Sequence, residues 1–335
     1  MTVLVTGGAG YIGSHVVLAL LDTGRDVVVV DDLSTGYRRL VDDRATLVVA
    51  DVADRPVVSS VIDDHGVDAV LHFAGSIVVP ESVRQPLKYY SNNVSKTRVL
   101  LEVCVEHGVE HFVFSSSAAV YGEPESIPVA ESAPTDPINP YGRSKLMVEW
   151  MLRDTSRAHN LDHVSLRYFN VAGADPRGRT GQATPEATHL VKVAIQTTLG
   201  MRPELEIYGS DYPTDDGTCI RDFIHVTDLA DIHVRALDYL ADGGNSQTLN
   251  CGYGRGFSVR RVVDAVQRVS GADFPVVETS RRPGDPATLV ADPTALTDLF
   301  DWTPTHDELD EIVASALRFE KRWQTDAPAP APSTT

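Results

Sequence analysis

Cysteine is scarce in this chain: Cys104, Cys219 and Cys251 are the only three among 335 residues, and none shows CxxC spacing. That excludes a disulfide-stapled scaffold and a thiolate metal site, and points to free thiols in a reducing cytoplasm. Long apolar runs are also missing, so the valine stretches are far too short to span a bilayer. No leader peptide is expected ahead of the first strand, which starts almost at Met1. Positive charge is short as well: 29 Lys and Arg face 47 Asp and Glu, a formal net charge of -18. Such a field disfavours nucleic acid and anionic membranes as partners, and an anionic substrate would need a local arginine cluster. No HExxH occurs. His107 with His111, and His159 with His163, have HxxxH spacing but straddle a helix end and the next strand, so no metal is expected. There are no internal repeats.

What is present begins at the first strand. Val3-Leu4-Val5 leads into Thr6-Gly7-Gly8-Ala9-Gly10-Tyr11-Ile12-Gly13, and the apolar stretch from His15 to Leu21 reads as a helix. Strand, glycine turn and helix together are the context a dinucleotide motif requires. Gly7 permits the tight turn, Gly10 lets backbone approach a pyrophosphate, and Gly13 lets helix pack on strand. A second run, Val27 to Val30, ends at Asp31 and Asp32. A carboxylate there can accept the ribose hydroxyls and repels a 2′-phosphate, which favours NAD over NADP.

Further strand-like runs follow at Thr46–Asp51, Ala69–Phe73, Phe112–Ser115 and His163–Tyr168, separated by helical stretches. Near-continuous apolar strands alternating with helices predict an α/β fold, a doubly wound, Rossmann-like parallel sheet covered on both faces. Asp51, Phe73-Ala74-Gly75, Ser115-Ser116-Ser117 and Tyr168-Phe169-Asn170 all fall at strand ends, where ligands gather. Residues 1–170 are read as the dinucleotide-binding domain. From about Val171 shorter elements rich in Gly, Pro and Asp predict a smaller α/β substrate lobe over 171–326, with chain crossing back and helices near 187–199, 227–242, 258–270 and 307–323. Residues 327–335 alternate Ala and Pro and are expected to be disordered.

The strongest chemical signal is Tyr141 with Lys145, four apart where Ser144–Leu152 reads as a helix, so that both share one face. An ammonium beside a phenol stabilises the phenolate, which lets a Tyr act as a base. Moving a Tyr from about 10 to about 7 takes roughly 4 kcal/mol, more than one Lys usually supplies, and a cationic nicotinamide ring would add to it.

With Thr-Gly-x-x-Gly-x-x-Gly, Tyr-x-x-x-Lys and a strand-end Ser, the chain resembles the extended short-chain dehydrogenase/reductases, and within them the UDP-glucose 4-epimerases. The resemblance runs from Val3 to about Trp323. Its most selective stretch is Tyr208-Gly209-Ser210-Asp211-Tyr212-Pro213-Thr214-Asp215-Asp216-Gly217-Thr218-Cys219-Ile220-Arg221-Asp222-Phe223-Ile224-His225-Val226. The resemblance implies an NAD-dependent inversion at C4 that interconverts UDP-glucose and UDP-galactose through a 4-keto sugar. Tyr141 would take the proton of the 4-hydroxyl, Lys145 would lower the Tyr pKa and hold the nicotinamide ribose, and Ser117 would bond the sugar oxygen or relay its proton. On the cofactor side it implies Gly7, Gly10, Tyr11, Ile12, Asp31, Asp51, Val52, Phe73, Ala74, Asn92, Lys145 and Tyr168. On the substrate side it implies Asn170 and Leu190, Tyr208 at the uracil, Arg221 and Arg282 at the diphosphate, and Asp285 at the uridine ribose. A lone Arg at either position is otherwise read as a surface ion pair, with Asp222 or Asp285.

Ala118 stands where dehydratases of this superfamily carry an acid after the strand-end Ser, which favours epimerisation over elimination. Ser76 and Ile77 follow Phe73-Ala74-Gly75 where some epimerases place a Lys, leaving one polar contact in question. Leu289 stands where glucose-specific members often carry Tyr, and tolerance of an N-acetyl group follows as a hypothesis. The alternatives are a 4-epimerase of another UDP-sugar (N-acetylglucosamine, a uronate or a pentose) or a non-catalytic NAD-sensing protein on the same fold. The apolar faces of helices Tyr89–His107 and Arg143–His159 are those that pair across a two-fold axis in this family, so a homodimer is expected.

Overall fold

The computed structural model describes residues 1–184, 187–282 and 285–325; the tail expected to be disordered lies outside them. Six strands alternate with helices in the first half: β1 (Thr2–Thr6), β2 (Asp26–Asp31), β3 (Thr46–Val49), β4 (Val67–His72), β5 (His111–Ser117) and β6 (Asp162–Tyr168). The chain continues through β7 (Asn170–Ala172), β8 (Leu205–Tyr208), β9 (Ile220–His225), β10 (Gln247–Cys251), β11 (Gly256–Ser258), β12 (Val276–Thr279) and β13 (Thr288–Leu289). The main sheet runs β10-β6-β5-β4-β1-β2-β3, and every neighbouring pair is parallel. The fold is therefore α/β and Rossmann-like. Its strand order reverses between β1 and β4, which opens a crevice at their carboxyl ends.

Alternation along each strand feeds two cores. Val3, Val5, Val27, Val29 and Leu71 pack on one face against helices Tyr11–Asp22 and Val226–Ala241. Leu4, Val28, Val30, Val70, Phe112 and Phe114 pack on the other against helices Arg55–His65, Lys96–Glu106 and Pro140–Ala158. A strand buried on both faces has no polar side to show, which is why these runs read as continuous valine and leucine.

The second lobe sits around its own core of Ile195, Ile207, Phe223, Val262, Val266, Ile312 and Val313. Its strands form β11-β9-β13, with β7 also on β9, and the pair β8-β12. β10 leaves this half of the chain and joins the main sheet beside β6. Helices Leu190–Thr198, Val226–Ala241, Val259–Ser270 and Leu309–Thr325 occupy the four stretches that sequence periodicity marks as helical. One element differs from expectation. The stretch Tyr89–His107, read as a single helix, is α-helical only to Tyr89, turns π-helical over Tyr90–Ser95, and resumes as an α-helix at Lys96. The wider turn keeps Asn92 and Asn93 side by side against the loop after β4, where their amides find partners.

Candidate active site

Gly7 lies at the β1–β4 switch with φ +72, and a Cβ there would stand 2.5 Å from the Ala74 amide nitrogen. The loops after β1 and β4 thus touch through a glycine. Gly13 is equally confined, its would-be Cβ 2.2 Å from the Gly7 carbonyl, whereas a Cβ on Gly10 would meet only that carbonyl, at 3.2 Å. Gly10 therefore faces open space. It also precedes a helix, Tyr11–Asp22, with no side-chain cap and no acid in its first turn, so the leading N–H groups of Tyr11 and Ile12 are available to an anion.

Asp31 ends β2 nearly buried, accepting from Ala9 N at 2.9 Å and Leu33 N at 2.8 Å. Burial raises its pKa, and those two amides oppose the rise. Its oxygens keep lone pairs for further donors. Asp32 is exposed and holds Ser34 instead. Asp51 accepts from Lys96 Nζ at 2.5 Å, and Val52 is buried beneath it in the second core. Phe73 lies against the His233 ring, 4.9 Å between centroids. Asn92 donates to Ser76 Oγ at 3.0 Å, and Asn93 grips the Ser76 backbone through its amide N–H and carbonyl. Ser76 is therefore held by two asparagines, while Ile77 points outward, 45% exposed.

The catalytic candidates converge on the end of β5. Helix Pro140–Ala158 starts behind an Asn139 cap that accepts from Gly142 N, which puts Tyr141 in its first turn and Lys145 one turn on. Lys145 is buried and donates to the Ser115 carbonyl at 2.7 Å, with its Nζ 5.9 Å from the Tyr141 ring centroid and 5.0 Å from that of Phe114. Burial lowers Lys145 to about 8, opposed by Glu149. Burial raises the Tyr141 phenol, opposed by a hydrogen bond with Ser117. Ser117 also accepts from Ala119 N, capping the turn Ala118–Tyr121. Tyr168, at the end of β6, bonds His233 Nε2 through its hydroxyl, and burial holds that phenol protonated.

Toward the second lobe, Asn170 and Leu190 line one small cavity together with Tyr11, His189 and Phe223. The Tyr11 hydroxyl donates to Gly173 O at 2.7 Å, tying the glycine loop to β7. Arg221 on β9 is paired in register with Leu289 on β13, and Leu289 packs against the cluster holding Ala118 and Phe169. Arg221 lies 3.7 Å from the Asp285 carboxylate. Asp222 takes no part in that pair: it accepts from the backbone of Tyr253, Gly254 and Ala291. Arg282 stacks on the Tyr208 ring at 3.5 Å. Among the described residues no cluster of His, Cys, Asp or Glu could hold a metal ion, and no helix is long and apolar enough to cross a membrane.

Sequence reasoning missed Asn93, Lys96, His233 and Glu149. Only Glu149 carries a local signal, standing four after Lys145 and eight after Tyr141 on one helical face. The others depend on partners distant in sequence.

A model described as the NAD dependent epimerase/dehydratase family matches residues 3–252. A UDP-glucose 4-epimerase of Azospirillum brasilense is 59% identical over 319 residues, 95% of this chain and 92% of that protein. Among solved structures, UDP-glucose 4-epimerase from Brucella ovis in complex with NAD is 43% identical with TM-score 0.92, covering 95% of this chain and 98% of that one. The UDP-Glc/GlcNAc 4-epimerase of Campylobacter jejuni is 47% identical with TM-score 0.84, covering 96% and 99%. Since the likeness runs from the glycine loop through both lobes, the chain belongs to the NAD dependent epimerase/dehydratase family.

Proposed function

We propose that this protein is an NAD-dependent isomerase that interconverts UDP-glucose and UDP-galactose at C4. The observation that carries it is the meeting of Tyr141, Lys145 and Ser117 at the end of β5, with Ala118, not an acid, next in the chain. The uncapped helix start at Tyr11, the open side of Gly10 and the free lone pairs of Asp31 fit a dinucleotide. Gly7, Gly13, Asp51, Val52, Phe73, Ala74, Asn92 and Tyr168 would complete its cradle. When bound, NAD supplies the oxidant that takes C4 to the ketone and then the reductant that returns it from the other face.

The rest is the work of the chain. Tyr141 takes the 4-hydroxyl proton and gives it back, with Ser117 bonded to the same oxygen. Lys145, held by Ser115, supplies positive charge near the phenol. Burial and Ser117 alone leave Tyr141 above its ordinary value, so the phenolate depends on that charge and on a cation bound in the crevice. Arg221 and Arg282 bind the diphosphate as guanidinium forks in an otherwise acidic protein, with Asn170, Leu190, Tyr208 and Asp285 around the nucleotide. Residues 1–170 serve the cofactor and 171–326 mainly the UDP-sugar.

Two copies pair through helices Tyr89–His107 and Arg143–His159, a reading supported by Trp150 on the second, 47% exposed, and by Val83 and Leu87 just ahead of the first, 63% and 78% exposed. Light scattering giving a monomer mass at micromolar concentration would refute the dimer. Three free, buried thiols support a cytoplasmic setting. The test of activity is incubation with UDP-galactose without added NAD, followed by chromatography. Conversion to UDP-glucose, abolished by Tyr141→Phe, is expected; no conversion even with NAD added would overturn the assignment.

A further inference from the structure

We propose that Glu149, paired with Arg167, is a positioning residue that clamps the strand-end serines to the catalytic helix and holds the charge of Lys145 in place. The proposal rests on the epimerase reading above. Tyr141, Lys145 and Glu149 recur every four residues on one face of helix Pro140–Ala158. Consecutive residues of β5 meet them: the Ser115 carbonyl accepts from Lys145 and Ser116 Oγ donates to Glu149, while Ser117, next in the strand, lies near enough to the Tyr141 phenol to lower its pKa.

Arg167, opposite Ser116 in the β5–β6 register, donates to Glu149 through Nε at 3.0 Å and Nη2 at 2.7 Å, and both side chains are only 7% exposed. Its Nη1 reaches the Tyr121 hydroxyl at 2.8 Å, and Tyr121 donates to Asn250 of β10 at 2.7 Å. Tyr121 closes the turn that leaves Ser117. The chain is thus tied immediately before and shortly after the serine, and a buried pair often serves such registry better than it serves stability.

Glu149 is also the carboxylate that acts on Lys145. The other titratable groups around that ammonium are Tyr141 on the same helix and His72 of β4, kept neutral by burial and bonded to Thr6 and Thr97. Tyr168 of β6 lies beside Ser115.

The test is Glu149→Gln in the protein as purified, which keeps an oxygen for Ser116 but loses the charge. Turnover of UDP-galactose is expected to fall about tenfold with KM nearly unchanged, and the alkaline limb of the kcat profile to move down by about half a pH unit or more. A second readout is carbon-13 NMR of labelled lysine, where Lys145→Met identifies one signal among only five lysines. The Lys145 titration is expected to move down in step. An unchanged kcat profile and lysine titration would overturn the proposal. If Arg167, left unpaired, prevents folding, Glu149→Met with Arg167→Met removes both charges together and is expected to shift Lys145 the same way. A folded double variant with wild-type Lys145 titration, or failure of both variants to fold, would leave the pair a purely structural element and refute the proposal. Inactive wild-type protein would count against the epimerase reading alone, because the lysine titration still reads the clamp.

Discussion

Lys145 spends a hydrogen bond on the Ser115 carbonyl at 2.7 Å, while its Nζ stays 5.9 Å from the Tyr141 ring centroid. The lysine is therefore fixed to the strand, and the charge stabilisation proposed for the phenol has to act through space. That separates what each residue should do when changed.

Tyr141→Phe removes the group assigned to proton transfer and little packing. Turnover is expected to drop by about 10³-fold, within the usual range for a general base, with thermal stability close to wild type. Product chromatography and a thermal melt check both halves; residual activity near wild type would remove Tyr141 from the mechanism.

Lys145 titrates at about 8 because it is buried, against 10.5 for an ordinary lysine. A folded value below the unfolded one means the ammonium costs stability below the folded pKa, about 3 kcal/mol, and that the cost fades as pH rises through the interval between the two. Lys145→Met should accordingly be at least as stable as wild type near neutral pH and lose that advantage by about pH 10. Activity runs the other way: kcat/KM is expected to fall above about pH 8 as the ammonium is lost. Melts at the two pH values and a pH–rate profile test the pair of statements.

The glycines of the first loop divide by what surrounds them. Gly7→Ala meets backbone at 2.5 Å with φ +72, and Gly13→Ala meets it at 2.2 Å, so each is expected to lose about 2 kcal/mol or more. Gly10→Ala meets only one oxygen at 3.2 Å and should fold. If its open side faces a pyrophosphate, however, that variant should purify without bound NAD. Denaturation curves and released-nucleotide assays distinguish the two behaviours.

Arg221→Ala and Arg282→Ala are each expected to raise KM for the UDP-sugar about tenfold or more, with a smaller change in kcat, as fits loss of a charge-assisted contact. Unchanged KM in both would return them to the roles they show toward protein groups, an ion pair with Asp285 and a stack on Tyr208.

Leu289 packs against the cluster that holds Ala118 and Phe169, and pairs in register with Arg221. Leu289→Tyr is expected to lower kcat/KM for UDP-N-acetylglucosamine by about tenfold or more relative to UDP-glucose, because added bulk opposes the acetamido group. Equal failure of both N-acetylated sugars with the wild-type protein would dispose of the idea.

Sequence alone determined what short-range patterning can specify. Val3-Leu4-Val5 and Val27–Val30 read as buried strands because alternate residues feed two cores. Gly7, Gly10 and Gly13 read as a phosphate turn, and Tyr141 with Lys145 as a pair, because spacing along a turn or helix sets which atoms can meet. Tertiary structure decided the rest. The return of β10 to β6, the pairing of Leu289 with Arg221, the hold of Asn93 on Ser76 and the grip of Arg167 on Glu149 each join separate elements of the chain. No local pattern encodes such partners. They follow from which faces are left to bury and which buried polar groups still need hydrogen bonds once the sheet has formed.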